Sequence, residues 1–293
     1  MNTAKKTQKS SVADPVDDRP ESHPSPINKP IEQKQVEERV AIGANVVYET
    51  IRREGEEEMK RTTSALAWSG LAAGLSMGFS LFAEAALSAC LPDAPWRPLI
   101  SKLGYSVGFL FVILGRQQLF TENTLTVILP LLLRRNFATL LSVGRLWSAV
   151  LISNLVGTFL FALCIAKIAI FSPQVQKALQ DVSQEGMGSG FWVSLLRAIF
   201  AGWLIALMVW LLPAADSAKV SIIIIVTYLV GLGHFNHIIA GSNKMFYQVA
   251  IGSESWSSFF GAFFLPTLLG NIIGGVSLVA FLGHAQVVGG KEN

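Results

Sequence analysis

The chain has 293 residues, of which 51% are apolar and 15% charged, with a mean hydropathy of +0.47 and a formal net charge of +3. So small a net charge gives no argument for nucleic acid, and two cysteines make neither a disulfide framework nor a metal cluster. Residues 1–61 hold 11 Lys/Arg and 12 Asp/Glu, leaving only 12 and 8 for the rest of the chain, too few for a water-soluble domain of that size.

Residues 1–30 are polar, with prolines at 15, 20, 24, 26 and 30, and read as a disordered N-terminal tail. Residues 31–61 read as an amphipathic, charged helix, because Val36, Val40, Val47 and Ile51 recur at helical spacing among charges. It is expected to lie solvated beneath a membrane. The first apolar run begins after residue 61, so no cleavable signal is expected to open the chain. Spans are predicted at 64–90, 101–135, 145–171, 191–212, 220–251 and 257–284, which makes residues 62–285 a six-span domain followed by a short tail, 286–293. Placing both termini in the cytoplasm of a bacterial-type inner membrane puts Arg134, Arg135, Arg145, Lys219 and Lys291 on the positive side.

Several side chains have plain readings within this frame. Gly70, Gly74 and Gly78, and Gly270, Asn271, Gly274 and Gly275, mark close helix packing. Cys90 and Cys164 are expected to fill apolar packing. Glu84, Lys167 and Arg197 are expected to snorkel from span ends or to pair between subunits. Trp96, Trp192, Trp203, Trp210 and Trp256 fall near span ends, as interfacial anchors do.

Two spans are too long and are interrupted. Val220–Ile251 is about 32 residues where roughly 20 suffice, and it is broken by Gly231–Lys244, which holds two of the four histidines. Leu99–Leu133, about 35 residues by the same measure, is broken at Gly115–Asn123. Broken backbone inside a membrane is tolerated where protein buries it or water reaches it. Ionisable groups there mark pathways. The second element of each three-span half is interrupted, so the halves are expected to be inverted repeats meeting at a midplane passage. The resulting class is an all-α polytopic membrane protein with an inverted 3+3 repeat in which helices 2 and 5 are broken.

Three stretches resemble the formate/nitrite transporter family: Leu119-Phe120-Thr121 in the second span, Phe235-Asn236-His237 in the fifth, and Pro266 through Gly275, ending in Gly-Asn-Ile-Ile-Gly-Gly, in the last. Asn154-Leu-Val-Gly157 is a weaker fourth match, and the likeness covers roughly residues 31–285. The resemblance implies an aquaporin-like bundle with one pore per protomer in a homopentamer. It implies His237 in mid-pore with Thr121 beside it, Leu119 and Phe120 at an apolar gate, and small weak-acid anions, moved with a proton, as substrates. The expected partners are that anion, the proton and membrane lipid. No enzymatic activity, cofactor or metal is expected. This chain departs from the family at Asn236, where an acid is usual, at Gly202, where an asparagine is usual, and near Gly186, where a lysine is missing. Lys244 and Arg116 are the candidates for attracting the anion, although pairing of Arg116 with Glu122 is favoured over anion contact. His234 is expected to be structural. A haem enzyme is disfavoured, because histidines three residues apart on one segment do not reach opposite faces of one iron. A pH-independent neutral-solute channel of the same fold and a closed-pore structural or regulatory membrane protein stay open.

Overall fold

The computed structural model describes residues 42–279 except Ala169 and Met187. The tail at 1–30, the start of the helix expected from residue 31 and the C-terminal tail lie outside the described residues. All regular structure among those described is helical.

The first helix, α1 (Ala44–Lys60), owes its position to one apolar line. Val47, Ile51 and Gly55 recur every four residues and are buried, as helical periodicity requires. They pack on Leu125, Ile128, Leu129, Ala206 and Trp210. A Cβ at Gly55 would lie 2.1 Å from the Thr126 carbonyl oxygen, so the approach needs glycine. The opposite face is laced by pairs such as Arg52–Glu49 and Arg52–Glu56, both 2.7 Å. The helix is thus docked on the bundle rather than solvated all round, and Trp210, expected as an interfacial anchor, is buried in that contact.

Among the described residues, five helices are long and apolar enough to cross a membrane. They are α2 (Thr63–Cys90), α3 (Arg97–Leu114), α6 (Phe137–Lys167), α8 (Gly190–Leu211) and the last crossing, where a π turn at Ser258–Phe264 leads into α11 (Leu265–Val279). The fifth crossing in chain order is not one helix. It is assembled from α9 (Lys219–Leu232) and α10 (Ile238–Ala250), neither long enough alone. The second crossing continues past its break as α4 (Phe120–Thr126) and α5 (Ile128–Arg134). Between the third and fourth crossings lies α7 (Pro173–Gln184), a helix that falls outside every predicted span. Its Ala178, Leu179 and Val182 are buried. The bundle thus has an end covered by α1 and a far end covered by α7.

Backbone approach organises the bundle. A Cβ on Gly74 would stand 2.2 Å from the Asn154 carbonyl oxygen, and one on Gly157 2.5 Å from that of Leu71. In the second half, a Cβ on Gly202 would stand 2.4 Å from the Asn271 carbonyl oxygen, and one on Gly274 2.1 Å from that of Ile199. Both α2–α6 and α8–α11 are therefore held by glycines that let the helices touch main chain to main chain. Large apolar residues such as Trp68, Phe137 and Trp192 face outward, as a membrane or subunit surface requires. Cys90 and Cys164 also lie on that surface, not in packing.

Candidate functional site

The two breaks have one hydrogen-bond pattern. In the first, the N–H groups of Gly115, Arg116 and Gln117 donate to the carbonyls of Phe111, Ile113 and Val112. In the second, those of Gly233, His234 and Phe235 donate to Leu229, Gly231 and Val230. Arg116 and His234 occupy the same place and both adopt left-handed backbone, φ 48° and 50°, a conformation uncommon outside glycine and, to a lesser degree, asparagine, aspartate and histidine.

Each break is then clamped by a buried asparagine from another crossing. Asn154 of α6 accepts the Phe120 N–H at 3.0 Å and donates to the carbonyls of Gly70 (2.7 Å) and Gln118 (2.9 Å). Asn271 of α11 accepts the Ile238 N–H at 2.8 Å and donates to the carbonyls of Ala198 and Asn236, each 2.8 Å. Unwound main chain leaves such groups without helical partners, and a buried unpaired one costs about 1–3 kcal/mol. One side-chain amide satisfies two of them in each half, and its third bond ties the break to a carbonyl of an unbroken crossing, Gly70 or Ala198. Asn271 is therefore more than a packing residue, and Asn154 belongs to the site as its counterpart. Gly202 is also explained: Asn271 main chain occupies the space that an asparagine there would need.

The clamps bring the restarted helices α4 and α10 tip to tip. His237 caps α10, its Nδ1 accepting the Ala240 N–H at 3.2 Å. With Nδ1 occupied as an acceptor, the neutral ring carries its proton on Nε2 and donates to Thr121 Oγ1 at 2.8 Å. Thr121 is itself fully buried, behind the histidine that lines the cavity, and among the described residues its hydroxyl hydrogen has no acceptor. His237 is 1% exposed, and the edge of its ring meets Phe109 with centroids 5.0 Å apart. Leu119 and Phe120 are fully enclosed in the same core, Phe120 edge-on to Trp147. The expected neighbours His237, Thr121, Leu119 and Phe120 are thus together.

A cavity of about 120 Å³ runs from the far-end loops to His237; Tyr105, Glu185, His234, Asn236, His237 and Lys244 are among its lining residues. Phe235 also lines it and stacks on Phe200. Arg116 does not. It is 85% exposed, nearest Glu54 of α1 at 4.0 Å, and forms no pair with Glu122. Glu84, expected to snorkel or to pair between subunits, is instead wholly buried. It meets Lys102, which also bonds Glu185, and its Oε2 lies 3.2 Å from Lys244 Nζ. Lys102 is a site residue that the sequence does not reveal: it reads as a charge at a span end, and only its approach to α2 shows a partner.

Two interrupted crossings meeting at a buried histidine and threonine, below a cavity open at one end, form the arrangement of a membrane channel or transporter. The sequence pattern of the family described as Formate/nitrite transporter matches residues 45–285. The chain is 41% identical over 257 residues, 88% of this chain and 83% of the relative, to Inner membrane protein YfdC of Escherichia coli (strain K12). It is 25% identical to Formate channel BtFdhC of Bacillus thuringiensis over 244 residues, 80% of this chain and 92% of that one. Among solved structures, a pentameric formate channel with formate bound superposes with a TM-score of 0.65 at 19% identity, covering 77% of this chain and 98% of that one. The chain belongs to the formate/nitrite transporter family.

Proposed function

We propose that the protein is a homopentameric inner-membrane channel or transporter, N- and C-termini cytoplasmic, that passes a small monovalent weak-acid anion such as formate, nitrite or acetate through each protomer, with His237 linking passage to protonation. The observation that carries this reading is the His237–Thr121 contact at the inner limit of the cavity. Beyond it lies a packed core of buried apolar residues, Leu119 and Phe120 among them, through which the substrate has to pass. A carboxylate entering that zone bare has a desolvation cost of several kcal/mol or more, and the protonated acid far less. Proton uptake therefore belongs where the wet cavity ends. Directly behind the histidine that ends the cavity, the Thr121 hydroxyl, its acceptor side filled by His237, keeps a hydrogen to donate. A histidine is the side chain best matched to proton exchange near neutral pH.

The experiment is uptake into proteoliposomes with a trapped pH dye, adding formate, nitrite, acetate and lactate in turn. The expected outcome is saturable internal acidification that is lost in His237→Asn. A second reading, a neutral-solute channel, is favoured by one observation: Glu84, Lys102, Glu185 and Lys244 balance in sign, so the cavity has no net attraction for an anion. Flux of an uncharged solute that ignores both pH and His237→Asn, without acidification by any of the four acids, selects that reading.

A further inference from the structure

Those four charges come from four separate elements, and they are not equivalent. Glu84 of α2 and Lys102 of α3 are 0% and 2% exposed, Lys244 of α10 is 13% exposed, and Glu185, just past the end of α7, is 35% exposed. The Lys102 ammonium donates to Glu84 and to Glu185, while Lys244 pairs with Glu84 alone. Three spans thus hold a buried unit of two ammoniums and one carboxylate. Buried charge is costly unless matched, so this unit requires one more carboxylate. Glu185 supplies it from outside the spans, on the residue before Gly186, whose backbone is left-handed (φ 80°). Glu185 also lines the cavity, whereas Lys102 lies behind it. Glu254 lines the cavity too but makes no ion pair among the described residues, so it does not take this role.

We propose that Glu185 is a tethered stand-in for the substrate: a small carboxylate anion binds first by displacing the Glu185 carboxylate from the Lys102 ammonium, before passing on to His237. No bond is made or broken; one carboxylate exchanges for another on the same cation. The displaced group has a neighbour in place, since His234 Nδ1 lies 4.0 Å from Glu185 Oε2. The exchange also reconciles a cavity without net positive charge with an anionic substrate, because the unit behind Glu185 is positive once it leaves. This inference rests on the anion-transport reading above.

The test compares formate uptake by wild type, Glu185→Gln, Glu185→Asp and Asp181→Asn in proteoliposomes, with thermal unfolding to verify each fold. Removing the competing carboxylate in Glu185→Gln is expected to lower KM by about tenfold, the effect of one charge-assisted bond, with little change in maximal rate. Glu185→Asp, shorter in reach, is expected to lower KM less. Asp181, on α7 and paired with Lys177 at 2.6 Å on the surface, is the control, and Asp181→Asn is expected to leave KM unchanged. An unchanged or raised KM in both Glu185 variants overturns the inference while the transport reading stands, as does an equal fall in Asp181→Asn, which would mean bulk charge. No formate flux in wild type or any variant overturns the transport reading and this inference together.

Discussion

The break at Gly115–Leu119 and the break at Gly233–His237 share a backbone and differ in chemistry. Their residues correspond at a constant offset of 118 positions, with matching main-chain bonds and left-handed second residues. Each is fixed by one asparagine and by glycines at matching places, Gly74 with Gly202 and Gly157 with Gly274. At the last position of the break, however, one half places Leu119 and the other His237. At the second position, Arg116 reaches toward α1, whereas His234 lines the far-end cavity. The shared backbone builds the two breaks; the unshared side chains make their two sides unlike, Leu119 and Arg116 toward α1, His237 and His234 toward the far end. Architecture and chemistry are thus carried by different residues and are separable by mutation.

The largest expected effect tests the shared part. Asn154→Ala and Asn271→Ala each strand two buried main-chain groups of a break, and each is expected to destabilise the protein by about 2–4 kcal/mol. Thermal unfolding of the detergent-solubilised oligomer reads this. A large loss in one variant and none in the other would break the equivalence of the halves. The next effect concerns the unshared part. Thr121→Val keeps shape but removes the acceptor of the His237 Nε2–H and the free hydroxyl donor, so flux is expected to fall about tenfold, one hydrogen bond's worth, with Thr121→Ser restoring it. Equal flux in Thr121→Val would mean that the contact only holds helices together.

The smallest effect lies in α1, which packs on the first half alone of the two restarted crossings. Hydrogen bonds from Arg52 and Arg53 hold the Glu49 carboxyl down at about 2. A carboxylate whose folded value is depressed stabilises above its ordinary range, and that contribution is lost as pH falls toward the folded value. Protection of the α1 amides from hydrogen exchange, taken relative to the intrinsic rate at each pH, is therefore expected to fall modestly between about pH 4.5 and pH 2, while α10 stays unaffected by this group. The pair is on the surface, where such bridges are weak, and Glu49→Gln should reproduce the effect at neutral pH.

Hydropathy and composition marked the crossings and both breaks, because the need to bury apolar length and to avoid polar groups in a membrane acts locally along the chain, while the choice of His237 came from the family resemblance. They placed the bounds of α2 within a residue and marked the paired interruptions. They did not give α7, whose amphipathic face is short and whose mean hydropathy is low beside the spans. Nor did they give the residue-level repeat, since the two halves share bonding geometry at positions where the side chains differ.

What the tertiary structure decided was which polar groups meet. An apolar run shows that a helix crosses but hardly which side chain faces which neighbour, and the partners here lie far apart in sequence. Asn154 reaches Phe120, Asn271 reaches Ile238, and Lys102 reaches both Glu84 and Glu185 only once the helices pack. Arg116 and Glu122, near neighbours along the chain, do not pair, because the left-handed turn at Arg116 sends its side chain toward α1. Sequence determined where the membrane passage must be interrupted, since desolvation of main chain depends on local composition. Packing determined which side chains satisfy the interruption and which charges guard it, since those bonds depend on the rotation of each helix about its axis.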